Sequence, residues 1–356
     1  MAPRRSARLI AVTEQLKEAI VTKSTATRGS ETKIRNDSVK KRKSPVKDTV
    51  KKSSDPRRLD ELSMNHTIRE AATPPPLDRL VEPHRTNATL VTPRGTSIVA
   101  YPPGAESASP SKTGLPHPTA TTGNLLEKAV AHLIAVEPRL KPFVEKHPCS
   151  LFSPDGLAEE INPFQSLVSS IISQQVSGAA AKSIKKKFIA LFNTSEPDEE
   201  LRTTRFPTPS EVAKCDIPTL RTAGLSQRKA EYVQGLAEKF SLGELSTEML
   251  LKASDEEILE KLTAVRGLGK WSVEMFTCFA LKRTDVFSTG DLGVQRGCAA
   301  FTGRDINKLK GKSSAKFKYM AEKDMLELAA KFRPYRSLFM WYMWRIEDVD
   351  VTVLGN

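Results

Sequence analysis

Two short runs in this chain could do chemistry together. Val265-Arg266-Gly267-Leu268-Gly269-Lys270-Trp271 reads as two helices joined by a tight hairpin with glycines two apart. Gly290-Asp291-Leu292-Gly293 then sets a carboxylate at the start of the next helix. Glycines at that spacing expose backbone N–H groups and open a helix N-terminus, a ready seat for a phosphate. A carboxylate beside a nucleotide anchored in this way can stabilise the positive charge that builds on a sugar as its bond to the base breaks. Asp291 can equally cap the helix that runs through Val294 and Gln295. The two roles coexist, because capping keeps a carboxylate ionised and aimed. Asp285, nearby in the same segment, reads as an anchor for its loop.

The elements that must position these groups have helical spacing almost throughout. Leu125, Leu126, Ala129, Leu133 and Val136 share one helix face, which ends at Pro138. Phe164, Leu167, Val168, Ile171 and Ile172 share another, just before Gln174-Gln175. A third helix over about residues 178–191 carries Lys182, Lys185, Lys186 and Lys187 on its polar face, either simply solvated or a path for a DNA backbone. Within residues 220–240, Gly224 suits the end of one helix and Ser226 the cap of the next. An amphipathic helix over residues 255–264 leads into the hairpin, and a strongly apolar one follows over residues 270–281. Arg333-Pro334-Tyr335 opens a last helix through Trp344, with the proline suited to its first turn. No strand alternation of any length occurs, and the predicted fold is all-α.

Composition divides the 356 residues unevenly. Residues 1–123 are rich in Pro, Ser, Thr, Lys and Arg and carry about +10 of the net +13. Such a segment cannot bury enough apolar surface to offset the entropy of ordering, so it is expected to be a disordered basic arm. Residues 124–356 suffice for one sizeable domain. The basic balance, with a sequence pI near 9.5, suits a polyanionic partner. No apolar run is long enough to span a bilayer, so no membrane role is expected. Arg4, Arg5 and Arg8 beside Leu9 and Ile10 faintly resemble a mitochondrial presequence, against which Glu14 and Glu18 count. Lys40-Lys41-Arg42-Lys43, followed by Ser44-Pro45-Val46-Lys47, reads as a nuclear import signal, so the nucleus is the expected location. Cys149, Cys215, Cys278 and Cys298 lie far apart with no CxxC pair, which argues against a zinc or iron–sulfur site and for reduced structural thiols. No cofactor is expected.

The hairpin, the Asp291 segment, residues 164–177 and residues 332–345 together resemble the helix-hairpin-helix base-excision DNA glycosylases, in particular their alkyladenine (3-methyladenine) branch. The resemblance spans about residues 124–346 and none of the arm. It implies two helical lobes around a cleft and a monofunctional DNA N-glycosylase. Such an enzyme flips alkylated purines of the 3-methyladenine and 7-methylguanine type out of double-stranded DNA and leaves an abasic site. A monomer that hands its product to downstream base-excision-repair enzymes is implied too.

Residue by residue, the resemblance makes Asp291 the group that stabilises the cationic sugar, activates the attacking water, or does both. It puts pocket aromatics at Trp271 and Trp344, whose faces would attract a cationic purine, with core packing as the plain alternative for each. Met275 stands where the best-known bacterial members have an aromatic, so the substrate range need not be theirs. Strand-cutting members of the superfamily carry a Schiff-base lysine at the position of Trp271; Lys270 is one residue too early. Gln174 or Gln175 would fill the hole left by the flipped nucleotide. The N–H groups of Gly267 and Gly269, with the Lys270 side chain and Arg266, would hold a phosphate. A structural metal ion, if bound, would use the carbonyls of Val265 or Leu268. Two alternatives remain at this stage: a glycosylase for another damaged or mismatched base, and a non-catalytic helix-hairpin-helix DNA-binding module. The arm is expected to add DNA affinity by counterion release without setting specificity.

Overall fold

The computed structural model describes residues 79–93, 95–100, 120–194, 205–309 and 319–346. The expectations for residues 1–78, the import signal at residues 40–43 among them, lie outside the described residues. Three short strands, β1 (Thr89–Val91), β2 (Ser97–Ile98) and β3 (Glu160–Ile161), accompany the helices. In chain order these are α1 (Leu125–Val136), α2 (Lys141–Lys146), α3 (Pro154–Ala158), α4 (Pro163–Ser173), α5 (Gly178–Ala190), α6 (Pro209–Lys214), α7 (Ile217–Thr222), α8 (Gln227–Ser241), α9 (Thr247–Lys252), α10 (Asp255–Thr263), α11 (Lys270–Phe279), α12 (Leu292–Phe301), α13 (Ile306–Leu309), α14 (Glu322–Ala330) and α15 (Arg336–Met343). The body is largely helical, as the spacing of apolar residues predicts.

Apolar side chains form two cores. In one, Leu125, Leu133 and Phe143 of α1 and α2 pack with Val294 and Phe301 of α12 and Phe339 and Tyr342 of α15. In the other, Phe164, Leu167 and Ile171 of α4 pack with Phe188 of α5, Val233 and Leu236 of α8, and Ile258 and Leu262 of α10. Helix α11 belongs to both: Met275 and Cys278 enter the first core, Val273 and Phe276 the second. A helix apolar over most of its circumference is one buried from both sides. The chemistry-bearing hairpin therefore opens on the element the two lobes share.

Most helices are closed at their N-termini by their own side chains. Ser153, Asn162, Ser177, Thr208, Ser226, Ser246, Ser254 and Asp291 each accept the backbone amide three residues on. Gly224 ends α7 with φ +96°, as its type suggests. One detail departs from the sequence reading. Tyr335 is the residue before α15, so Pro334 lies ahead of the helix and not in its first turn, with its carbonyl accepting the Thr284 hydroxyl at 3.0 Å.

The expected boundary at residues 123/124 is corrected by residues 79–91. Val81, Ala88 and Leu90 are buried in the two cores. This strap also pairs with the turn that follows α11: the amides of Asn87 and Ala88 both donate to Leu281 O, and the Asn87 side-chain amide donates to Lys282 O. β1 pairs antiparallel with β2 and parallel with β3, Leu90 facing Ile98 and Ile161. Strands of two or three residues are too short to show alternation, which is why a purely α expectation overlooked them. A truncation intended to remove only the arm must therefore stop before Arg79.

His84 ties the strap to both lobes. Its Nδ1 lies 2.6 Å from Asp255 Oδ2 on α10 and its Nε2 lies 3.5 Å from Asp285 Oδ2. The hydrogen bond to Asp255 and the two carboxylate charges raise the His84 pKa above its ordinary value, against burial and the charge of Arg336. A raised folded-state pKa contributes stability that is complete below the unfolded value of about 6.5 and is lost as pH climbs through the folded value. The difference in Tm between the protein and a His84→Gln variant should thus be widest below about pH 6.5, above the carboxylate range, and should narrow in more alkaline buffer. A pH-independent difference in thermal melts would remove the ionic role.

Candidate active site

The hairpin closes through Val265 N donating to Leu262 O and Leu268 N to Val265 O, both at 3.1 Å. Gly267 is required twice over. Its φ is +95°, and a Cβ there would stand 2.3 Å from the Tyr232 ring. Gly269 precedes α11 and brings no side-chain cap, as is also the case at α1, α2, α7, α14 and α15. The first-turn amides of α11 are thus left to an outside acceptor. The Lys270 side chain is 65 % exposed beside them. The Arg266 guanidinium sits over the Tyr232 ring at 5.9 Å.

The end of α4 abuts this hairpin. Gln174 donates its side-chain amide to Gly267 O at 2.8 Å, so it braces the turn. Gln175 is exposed, with φ +56°. A side chain held in the left-handed region is uncommon outside glycine, and here it directs an amide away from the helix end into solvent. Lys229, on α8, donates to Ile172 O at 2.7 Å and satisfies a carbonyl at the same end. On α5, Lys182, Lys186 and Lys187 are exposed, whereas Lys185 lies against Phe206 at 6.0 Å with its pKa lowered by burial.

Asp291 is 3 % exposed and receives three neutral N–H donors. Oδ1 accepts the Val294 amide and the Trp344 indole, and Oδ2 accepts the Trp271 indole, each at 2.8 Å. Neutral donors orient a carboxylate without cancelling its charge. Asp285 is the contrast: the Arg336 guanidinium grips both its oxygens at 2.6 and 3.0 Å, which makes it the loop anchor its position suggests. The segment between the two aspartates is fixed residue by residue. Val286 N donates to Ser337 Oγ, Ser288 Oγ to Glu274 Oε2, and Thr289 Oγ1 to Glu322 Oε1, while Thr289 O accepts from Gln295.

Two glycines on α12 let Trp344 reach this carboxylate. A Cβ on Gly297 would stand 2.0 Å from Met343 O, and one on Gly293 would stand 2.7 Å from Trp344 Cδ1. The missing side chains allow α12 and α15 to cross backbone to backbone. Trp344 is 5 % exposed and stacked on Phe279 at 5.4 Å, so its observed task is to donate to Asp291 more than to offer a face. Trp271 is only partly buried and keeps aromatic surface at the site. Met275 is buried in the core that α11 shares with α15. Of the residues singled out by sequence, the fold thus unites Asp291, Trp271 and Trp344 directly and sets Gly267, Gly269, Lys270 and the two glutamines on the adjoining hairpin.

Sequence reasoning missed Tyr232, Glu274, Ser288 and the glycine seam. Only Glu274 had a local signal, as the partner of Lys270 one turn away. Of the hairpin carbonyls, Val265 O accepts Leu268 N and Gly267 O accepts the Gln174 side-chain amide. Among the described residues no cluster of His, Cys, Asp or Glu could hold a metal ion, and no helix is long and apolar enough to cross a membrane. All four cysteines are free; burial pushes the Cys149 and Cys278 thiols up to about 12, which leaves them unreactive.

With that geometry in view, comparison with known proteins gives a consistent result. Residues 168–323 match the family of HhH-GPD superfamily base excision DNA repair proteins. The chain is 33 % identical over 248 residues to a DNA-3-methyladenine glycosylase of Saccharomyces cerevisiae, covering 64 % of this chain and 81 % of that one. It is 29 % identical over 221 residues to DNA-3-methyladenine glycosylase 1 of Schizosaccharomyces pombe, covering 62 % and 87 %. A solved structure of a Schizosaccharomyces pombe 3-methyladenine DNA glycosylase in complex with abasic DNA aligns at TM-score 0.48 and 25 % identity, covering 63 % of this chain and 98 % of that one. The chain belongs to the HhH-GPD superfamily of base-excision DNA repair proteins, in its 3-methyladenine DNA glycosylase branch.

The seam makes a direct prediction. Gly293→Ala should push Trp344 off Asp291, since its new methyl would also stand 3.1 Å from Asp291 Oδ1. We expect a stability loss of about 1–3 kcal/mol from overpacking. The single-turnover rate of base excision should fall much further, about 100-fold, because the carboxylate loses its aim. Thermal melts and a burst assay on one preparation separate the two effects; an unchanged rate would show that Trp344 does not aim Asp291.

Proposed function

We infer that this protein is a DNA-3-methyladenine glycosylase of base excision repair, a monofunctional enzyme that hydrolyses the bond between an alkylated purine and its deoxyribose in duplex DNA. The observation that carries this reading is the Asp291 carboxylate, ionically unpaired in geometry and fixed by two indoles and a helix amide, next to an uncapped hairpin helix. A pure DNA-docking module gains nothing from a carboxylate facing a phosphate backbone.

In this reading the open amides of α11, with Gly267, Gly269, Lys270 and Arg266 around them, hold a backbone phosphate. Gln175 enters the stack as the target nucleotide swings out, and Gln174 keeps the turn in register behind it. Trp271 offers its partly exposed ring to the cationic base. As the C1′–N bond breaks, its electron pair leaves with the purine and positive charge grows on the sugar. Asp291 stabilises that charge and orients the water whose oxygen bonds to C1′ as its proton passes to the carboxylate and on to solvent, leaving an abasic site. A purine already alkylated is a good leaving group and needs little further protonation. Double-stranded DNA carrying alkylated bases is then the substrate, a monomer suffices, and downstream repair enzymes take the product. The basic run at residues 40–43 supports a nuclear location.

Asp291→Asn should cut excision of 3-methyladenine by at least about 100-fold, the usual loss when one preorganised electrostatic group is removed. The amide offers a single oxygen where two indoles and an amide now donate, so one indole is left facing an NH2 group. A stability cost of about 1–3 kcal/mol should accompany the rate loss. Affinity for lesion duplex should persist, because the grip lies in the hairpin. A folded Asp291→Asn protein with near-normal excision would return the field to the docking module.

Strand cleavage should be absent as well. Trp271 occupies the position of the Schiff-base lysine, and the Lys270 ammonium lies 3.8 Å from Glu274, out on the helix surface. Borohydride added during turnover should trap no covalent enzyme–DNA adduct. Efficient trapping would overturn the monofunctional assignment.

A further inference from the structure

Glu274 stands between the two halves of the site and belongs to neither. It lies one turn after Lys270 on α11, with its side chain 15 % exposed. Its Oε2 accepts the hydroxyl of the fully buried Ser288 at 2.5 Å, in the segment that delivers Asp291. Its Oε1 faces the Lys270 ammonium at 3.8 Å.

We propose that Glu274 is a positioning residue that couples the DNA clamp to the catalytic loop, holding Ser288 through one oxygen and restraining Lys270 through the other. The proposal rests on Lys270 being the phosphate contact described above. The restraint has a consequence for protons. Burial raises the Glu274 pKa, Ser288 and Lys270 oppose that rise, and the charges of Asp291 at the start of α12 and Glu322 at the start of α14 add to it. When a phosphate draws Lys270 away, Glu274 loses the cation that favours its ionised form while both neighbouring carboxylates remain. Its affinity for a proton then increases, so binding of DNA takes up a proton at Glu274. By linkage, lower pH favours binding through this group. The Ser288 hydroxyl keeps its partner in either protonation state, because a carboxylic acid still offers an acceptor oxygen.

Three measurements on the full chain test this. The first is affinity for undamaged duplex across about pH 5 to 8, compared between the protein and Glu274→Gln. The variant should bind tighter at the alkaline end by about three- to tenfold, as expected for freeing Lys270 from its carboxylate partner, and the difference should narrow towards the acid end. Reading the difference cancels the titration of the histidines. The second is the same comparison in a Lys270→Ala background, where the pH-dependent difference should disappear. The third is single-turnover excision of 3-methyladenine at saturating protein. Glu274→Ala should slow it by about tenfold, the cost of leaving the buried Ser288 hydroxyl unpaired, and Glu274→Gln should recover most of that loss because its amide oxygen can still accept. Equal loss in Ala and Gln, or a binding difference that is flat with pH, would overturn the coupling. Undamaged duplex requires no chemistry, so the binding arm stands or falls independently of the glycosylase reading, which the excision arm tests through wild-type turnover.

Discussion

Three neutral N–H groups on one buried carboxylate are the constraint around which the molecule is arranged. Burying an ionised group costs several kcal/mol unless its hydrogen-bonding capacity is met. An arginine would meet it most strongly, and the fold uses that solution for Asp285, where only anchoring is needed. At Asp291 the donors come from Trp271 on α11, Val294 on α12 and Trp344 at the end of α15. The carboxylate is therefore held by dipoles and not by a countercharge. Each donor requires its helix to be in place, so the two cores and the shared α11 exist in effect to keep three N–H vectors converging.

That demand explains features that look costly in isolation. Glycine inside a helix weakens it by about 0.5–1 kcal/mol relative to alanine, yet α12 carries Gly293 and Gly297 one turn apart. Both lie where a Cβ would collide with Trp344 or with the Met343 carbonyl. Close backbone approach there outweighs helix propensity. The missing cap at Gly269 follows a similar logic. Serine at that position could accept one first-turn amide; glycine leaves all of them open.

What could be read from sequence was local. The hairpin, the caps at Ser226 and Asp291 and the apolar faces of α1, α4 and α10 all depend on residues within a turn or two of one another. The glycine seam was not legible, because a helical glycine signals only a penalty until the neighbouring helix is known. The meeting of two indoles on one carboxylate joins positions 20 and 53 residues apart from Asp291, and spacing carries no trace of it. Gln174 and Gln175 read alike as adjacent amides; only the left-handed backbone at the second and the Gly267 contact of the first tell them apart. The strap at residues 79–91 was hidden for another reason. It sits within a basic, proline-rich stretch and contributes strands too brief to show a period.

The strap also bears on how the chain is made. Asn87 pairs with Lys282 across 195 residues, and His84 with Asp255 across 171. At about 5–20 residues per second, a ribosome releases the partner segment roughly 10–40 s after the strap has left the exit tunnel. Until β3 emerges β1 has no strand to pair with, and its apolar residues and open edge are accessible to chaperones or to another nascent chain. Parallel pairing of β1 with β3 becomes available first, and the turn after α11 closes over it last. The strap's contacts with the turn after α11 are thus among the last that the order of synthesis makes available.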